Sequence, residues 1–253
     1  MRIAIFSDVH GNLSALEAVL ADIEDQSPDL VVFAGDLCLF GPRPAECLRL
    51  VRGRRLPSVI GNTDEWTAGL GHPPEKHRAS LEWTAARLTA DELGWLRRLP
   101  FALRVSPTDT PNDQDLLIVH ANPHDVNGII FPSVAEQQDR WGKIRQSDED
   151  LGKLMSEGGA AAVAYGHLHI PGVRRWGETT LANISSVSMP GDGDGRAKYG
   201  LLEWRDGLWE ITHRRIAYDV AAEAAAFRAN RPPGWTEAVA GIEADGYYYP
   251  QKI

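Results

Sequence analysis

The residues of this chain best suited to chemistry fall into five short clusters. Asp8 and His10 stand in "FSDVHGN", Asp36 in "GD", Asn62 and Asp64 in "GNTD", His120 in "VHAN", and His167 and His169 in "GHLH". Each cluster follows a short apolar run. The side chains are carboxylate, imidazole and carboxamide, with no thiolate among them. Such a nitrogen and oxygen donor set suits Mn, Fe, Co, Ni or Zn. Two such metals about 3.5–4 Å apart can clamp an in-line displacement at phosphorus. That arrangement needs one shared ligand, and a carboxylate with two oxygens can bridge. Two divalent ions set against Asp8 and Asp36 leave roughly +2, a strong local attraction for a phosphate ester. Taken alone, Asp8 with His10 is a polar turn or helix cap; the chemistry rests on the whole set.

These clusters need elements that bring them together. Arg2 to Phe6 reads as a buried strand. Leu13, Leu16, Val19, Leu20 and Ile23 then recur at helical spacing. Leu30 to Ala34 is a second strand, Pro44 to Val51 a helix and Ser58 to Ile60 a short third strand. This β-α-β-α-β order implies a parallel sheet, in which ligands sit beyond the carboxyl ends of the strands. Asp8, Asp36 and Asn62 each follow a strand end, so all three are expected on one rim. His167 and His169 share a face of an extended segment, since side chains there alternate with period two.

Further on, Glu75 to Arg98 reads as mostly helical, with Trp83 and Trp95 as packing residues. Phe101 to Val105, Asp115 to Val119 and Ala160 to Tyr165 read as strands, and Asp148 to Ser156 as a helix. Val173 to Ile216 reads as strand, turn and strand, and a second, largely antiparallel sheet fits this half. Tyr218 to Phe227 and Trp235 to Ile242 close the chain as helices. There is no repeat, low-complexity tract or linker. The expectation is a single domain over 1–253, with helical segments at about 66–100 and 124–157 over the site and closing helices at about 218–245.

Of the 253 residues, 43% are hydrophobic and 24% charged, as in ordinary globules. A net charge of −9 speaks against a nucleic-acid or anionic-membrane surface. An anionic substrate then needs local positive charge, which a metal can supply; with the metal-suited clusters, the expected partner is a small phosphate ester or nucleotide. No run approaches membrane-spanning length, and no signal peptide precedes the first strand. Cys38 and Cys47 form no C-x-x-C unit and read as reduced thiols in a cytoplasmic protein. Oligomeric state is not encoded in any readable pattern.

The five clusters, in this order and strand context, resemble the calcineurin-like metallophosphoesterase superfamily, and most of all its small bacterial and archaeal phosphodiesterases. The resemblance runs over nearly the whole chain. It implies an αββα sandwich, a four-layer α/β fold of two mixed sheets flanked by helices. It implies one metal on Asp8, His10, Asp36 and His169, and a second on Asp36, Asn62, His120 and His167, with Asp36 as the bridge. Manganese is the first expectation. The implied activity is phosphodiester hydrolysis by a metal-bound hydroxide attacking in line, with Asp36, Asn62, Asp64 and His120 as the catalytic group. "NISSVSMPGDGDGRAKY" (Asn183 to Tyr199) resembles the family's Asn-Pro-Gly-Ser-Val-Gly-Gln-Pro loop, departing at Ile184, Ser185, Ser188 and Met189. "RRIAYDVAAEAAAF" resembles the closing helix of a subgroup that includes diadenosine tetraphosphate hydrolases. The alternatives are therefore a dinucleoside polyphosphate hydrolase and, in another class, a catalytically silent scaffold.

One departure bears on chemistry. Strong phosphatases of the superfamily carry a histidine after Gly-Asn, where this chain has Thr63. A threonine hydroxyl is a poor acid at neutral pH, so good leaving groups are expected to be preferred. Asp64 is expected to orient a ligand by hydrogen bonding. His124 and Arg196 are candidate substrate contacts. His72, His77 and His213 read as surface or structural, Arg52 to Arg55 as a solvated helix end, and Tyr247 to Tyr249 as tail packing. "DGDGRAKYGLLE" has Asp192, Asp194 and Glu203 at calcium-loop positions, but Arg196 and Ala197 break that pattern. Its glycines precede a strand and make no dinucleotide fingerprint.

Overall fold

The computed structural model describes residues 1–108, 113–155 and 159–247. It is a sandwich of two mixed sheets. The first has the order β2-β1-β8-β9, from Leu30–Phe33, Arg2–Phe6, Ala197–Arg205 and Leu208–Ile216. The second has the order β3-β4-β5-β7-β6, from Ala102–Val105, Leu116–Val119, Ala162–Tyr165, Thr179–Asn183 and Gly172–Trp176.

Strand alternation builds the layers. Ile3 and Ile5 of β1 face inward with Val32 of β2 and meet Leu116, Ile118, Ala162 and Ala164 of the second sheet. Ala4 and Phe6 face the other way and pack against α1 (Leu13–Gln26) and α2 (Pro44–Gly53) through Leu16, Val19, Leu48 and Val51. On the second sheet, Leu117, Val119 and Val163 turn outward to Ile130 and to Leu151 of α7 (Asp148–Met155). The order is helix, sheet, sheet, helix, because the central strands are apolar on both faces and each face must be covered.

The parallel pair β1–β2 and the α1 crossover form as the periodicity implies. Asn12 caps α1, its Oδ1 accepting from Ala15 N at 2.9 Å. Two expectations need correction. Residues 58–60 are not a full strand: Ser58 makes a single parallel bridge to Phe33, and the chain then turns into α3 (Asn62–Thr67). The later strands do not form one antiparallel sheet. β8 and β9 return to the first sheet, β8 antiparallel to β1, while β4-β5-β7 run parallel in the second. Strand alternation shows which residues are buried but not which edge a hairpin joins.

Between β2 and the second sheet lie a one-turn 3-10 helix (Glu75–His77), α4 (Arg78–Ala85) and α5 (Ala90–Arg97). α6 (Val134–Trp141) and α7 follow β4. α8 (Val220–Asn230) and α9 (Trp235–Asp245) pack on each other through Phe227, Val239 and Ile242. The buried Glu223 of α8 pairs with Arg43, tying this closing pair to the loop before α2. Ser156, Tyr248 and Tyr249 lie outside the described residues.

Candidate metal centre and active site

All five clusters reach one rim of the sandwich, where the loops after β1, β2, β4 and β5 meet. Asp8, His10, Asp36, His167 and His169 all have left-handed backbones, with φ of 58°, 47°, 65°, 61° and 62°. Non-glycine residues rarely adopt this conformation, and such strain collects at functional sites. Two glycines allow the close approach. A Cβ on Gly61 would lie 2.2 Å from Asp36 Oδ1, and one on Gly166 2.2 Å from Asp8 Oδ2.

The donors form two groups, Asp8 with His10 and His169, and Asp36 with His120 and His167. In the first, His169 Nε2 lies 3.0 Å from Asp8 Oδ1 and 3.3 Å from His10 Nε2. In the second, Asn62 Oδ1 lies 3.0 Å from both His120 Nε2 and His167 Nδ1. Asp36 stands between them. Its Oδ1 is 3.4 Å from His120 Nε2 and its Oδ2 3.8 Å from His10 Nε2, so one carboxylate turns an oxygen to each group.

These residues fit divalent metals. His10 Nδ1 donates to Leu39 O at 3.2 Å and His120 Nδ1 to Ala34 O at 2.9 Å, which turns each Nε2 toward the cluster. Metal-binding histidines are commonly oriented by such a bond. The electrostatics point the same way. Burial holds the His10 and His167 imidazoles down at about 4, so they are neutral and able to ligate. Burial alone would raise Asp36 and Asp8, but the neighbouring imidazoles hold both below the usual carboxylate range. Burial likewise opposes charge on His120, yet the Asp36 carboxylate beside it pushes it up to about 10. Two buried carboxylates thus draw positive charge into the cluster.

Asp64 lies behind the ligands. It is fully buried, and its carboxylate accepts from Asp36 N and Leu37 N at 2.8 Å each and from Gly61 N at 3.1 Å. It therefore positions the Asp36 turn and the start of α3. Burial, and then the charge of Asp36, raise its carboxyl to about 7 against those three N–H groups. Thr63 N donates to Asp36 Oδ1 at 2.9 Å, while its buried Oγ1 has no hydrogen-bond partner among the described residues, and Thr63 lines the cavity. Ser186, not singled out from sequence, holds the Asp8 turn by donating from Oγ to Asp8 O at 2.9 Å.

A cavity of about 260 Å³ opens over the metal ligands, lined by His10, Asp36, Asn62, His167 and His169 on one side. The facing wall comes from Phe40, Thr63, Trp66, Pro74, Lys76, His77, Asn127 and Met189. Trp66, Pro74, Lys76 and His77 bring the segment at 66–100 to the cavity. Among the described residues of 124–157, Asn127 alone lines the cavity, and α7 covers the second sheet instead. His124 and Arg196 are not brought into it. His124 Nε2 donates to Leu154 O at 2.9 Å, and Arg196 forks onto Asp194 at 2.6–3.1 Å. His77, read from sequence as surface or structural, is instead buried in the wall; the signal missed was its place beside Trp66 in space, which sequence separation hides. His213 Nε2 donates to Asn183 O at 2.7 Å, between the sheets.

The two-sheet fold, with paired carboxylate and imidazole groups at its strand ends, defines the metallophosphoesterase class. The calcineurin-like phosphoesterase superfamily domain matches residues 1–207. The chain belongs to that superfamily. A solved metallophosphoesterase from Sphaerobacter thermophilus is 28% identical, with a TM-score of 0.72 over 95% of this chain and 98% of that one. An uncharacterised protein of Methanocaldococcus jannaschii is 28% identical over 92% of this chain and 94% of its own length. The symmetrical bis(5'-nucleosyl)-tetraphosphatase of Pectobacterium carotovorum is 36% identical, over 48% of this chain and 43% of that enzyme. Among the described residues, no helix is long and apolar enough to cross a membrane.

Proposed function

We propose that this chain is a metal-dependent phosphoester hydrolase with a binuclear centre, acting first on phosphodiesters. The observation that carries the reading is Asp36, whose two oxygens face the two histidine groups at 3.4 and 3.8 Å. Asp8, His10, Asp36 and His169 would hold one cation, and Asp36, Asn62, His120 and His167 the other, with manganese the first expectation. When bound, these cations supply Lewis acidity and lower the pKa of coordinated water to about 7. The chain's own residues do the rest. Asp64 fixes the Asp36 backbone turn and the Thr63 amide the Asp36 carboxylate, while the backbone carbonyls of Leu39 and Ala34 fix the imidazoles of His10 and His120. The Thr63 hydroxyl is too weak an acid to protonate a poor leaving group.

The aligned half of the tetraphosphatase supports a second reading, in which the same site cleaves the anhydride bond of a dinucleoside polyphosphate. The intact donor set speaks against a silent scaffold, which needs no buried, strained metal ligands. The test is product analysis with manganese-loaded protein. Release of p-nitrophenol from bis(p-nitrophenyl) phosphate without cleavage of diadenosine tetraphosphate supports the first reading, and the reverse supports the second. Turnover of neither overturns both.

A further inference from the structure

The wall facing the metal ligands is aromatic, and the aromatic rings are not there to fill the core. Phe40 and Trp66 are each half-buried and, among the described residues, belong to none of the hydrophobic clusters. His77 joins them, edge-on to Phe40 with centroids 5.1 Å apart and stacked on Trp66 at 5.8 Å and 20°. Phe40 reaches on to the metal ligand His10, with centroids 5.6 Å apart. Its backbone φ is 85°, a conformation that is an outlier for a bulky side chain. Strain of this kind persists where the surroundings enforce it for function. Lys76, exposed beside His77, lines the same cavity and forms no ion pair among the described residues. At about 260 Å³ the space lies just below the common small-ligand range of about 300–1,000 Å³. It has room for one planar group and its phosphate but not for two nucleosides.

We propose that Phe40, Trp66 and His77 form the subsite for the base of a nucleotide substrate, with the Lys76 ammonium placed for a phosphate beyond the scissile one. This inference rests on the phosphoesterase reading and adds the substrate class to it. Bases stack on aromatic side chains with little regard to sequence, because every base has a π-face. In a dinucleoside substrate, one half fills this subsite and the other stays outside the cavity.

The test compares thymidine 5'-(p-nitrophenyl phosphate) with methyl p-nitrophenyl phosphate. Both are diesters with the same leaving group, so only the nucleoside differs. Manganese-loaded protein is expected to favour the nucleoside ester by about tenfold in kcat/KM, the value of one base–aromatic stack. The difference should lie mainly in KM, and Trp66→Ala should bring the ratio near one. Calorimetry in parallel compares AMP with ribose 5-phosphate on the same manganese-loaded proteins. AMP should bind about tenfold more tightly, and lose that advantage in Trp66→Ala. Turnover of both esters with no preference, or a preference unchanged in Trp66→Ala, overturns the subsite and leaves the phosphoesterase intact. AMP selectivity without turnover of either ester upholds the subsite and overturns the phosphodiesterase reading. Equal binding of the two phosphates overturns the subsite whatever the turnover.

Discussion

Asp64 illustrates how much of this site lies behind its ligands. It touches neither cavity nor partner metal group, yet three backbone N–H groups around Asp36 and Gly61 converge on its carboxylate. An amide in its place offers one acceptor oxygen in place of two and puts two donors against buried N–H groups. Asp64→Asn should therefore weaken metal binding by about 10–100-fold, as loss of such supporting partners commonly does. Metal titration checks this, and unchanged affinity contradicts the positioning role. Thr63 makes the second prediction at this scale. With no imidazole acid at that place, alkyl leaving groups should turn over at least about 100-fold more slowly than nitrophenolate, the lower range of a general-acid contribution. A series of diesters with graded leaving-group pKa measures this as a steep negative slope. A flat series contradicts it.

At the scale of elements, one network ties α1 to the β8–β9 hairpin. Asp22 accepts from Tyr199 Oη at 2.7 Å and from Arg214 at 2.6 and 3.0 Å. Burial alone would raise the Asp22 carboxyl, but these hydrogen bonds outweigh it and hold the group down. Because the folded value is depressed, the stability it contributes is full above the ordinary carboxylate pKa of about 3.9 and fades as pH falls through the folded value. Asp22→Asn should cost about 1–2 kcal/mol in urea melts at pH 7, a figure reduced because solvent screens the partly exposed Arg214. The gap should close in acid, and a gap independent of pH contradicts the assignment. The Asp192 loop shows a related device. Lys198 is fully buried, and its Nζ lies 2.6 Å from Asp194 O, 3.1 Å from Arg196 O and 3.0 Å from Asp192 Oδ1. Lys198→Met leaves Asp192 without this partner and should destabilise the fold by about 3–5 kcal/mol.

The same scale shows what was legible before the structure. Strand alternation and helical spacing located most elements, because each apolar face must be covered. The candidate ligands were picked out because they follow strand ends and their types suit a metal. The aromatic wall was not, since Phe40, Trp66 and His77 lie in three different segments and meet only in space. Nor was the place of β8 and β9, because an apolar strand fits either sheet and only β1's free edge decides. His124 and Arg196 looked suited to a phosphate by type alone, and local partners hold both away from the cavity.

For the whole molecule, the site is assembled from both sheets, so it depends on how they pack. The ligands are nevertheless held by backbone bonds: Asp8 N to Gly35 O at 2.9 Å, Val9 N to Asp36 O at 2.8 Å and Gly166 N to His120 O at 2.8 Å. Chelation should therefore leave far-UV circular dichroism unchanged while lowering Tm, since a ligand that binds only the folded state stabilises it by mass action. The central claim is the shared carboxylate, and Asp36→Asn tests it most directly. Wild-type protein stripped with chelator and reloaded should bind two manganese ions per chain and hydrolyse bis(p-nitrophenyl) phosphate. Asp36→Asn should stay folded, hold fewer than two and lose nearly all turnover. If the variant keeps both ions and full activity, or the wild type turns over equally well without metal, the binuclear account is wrong.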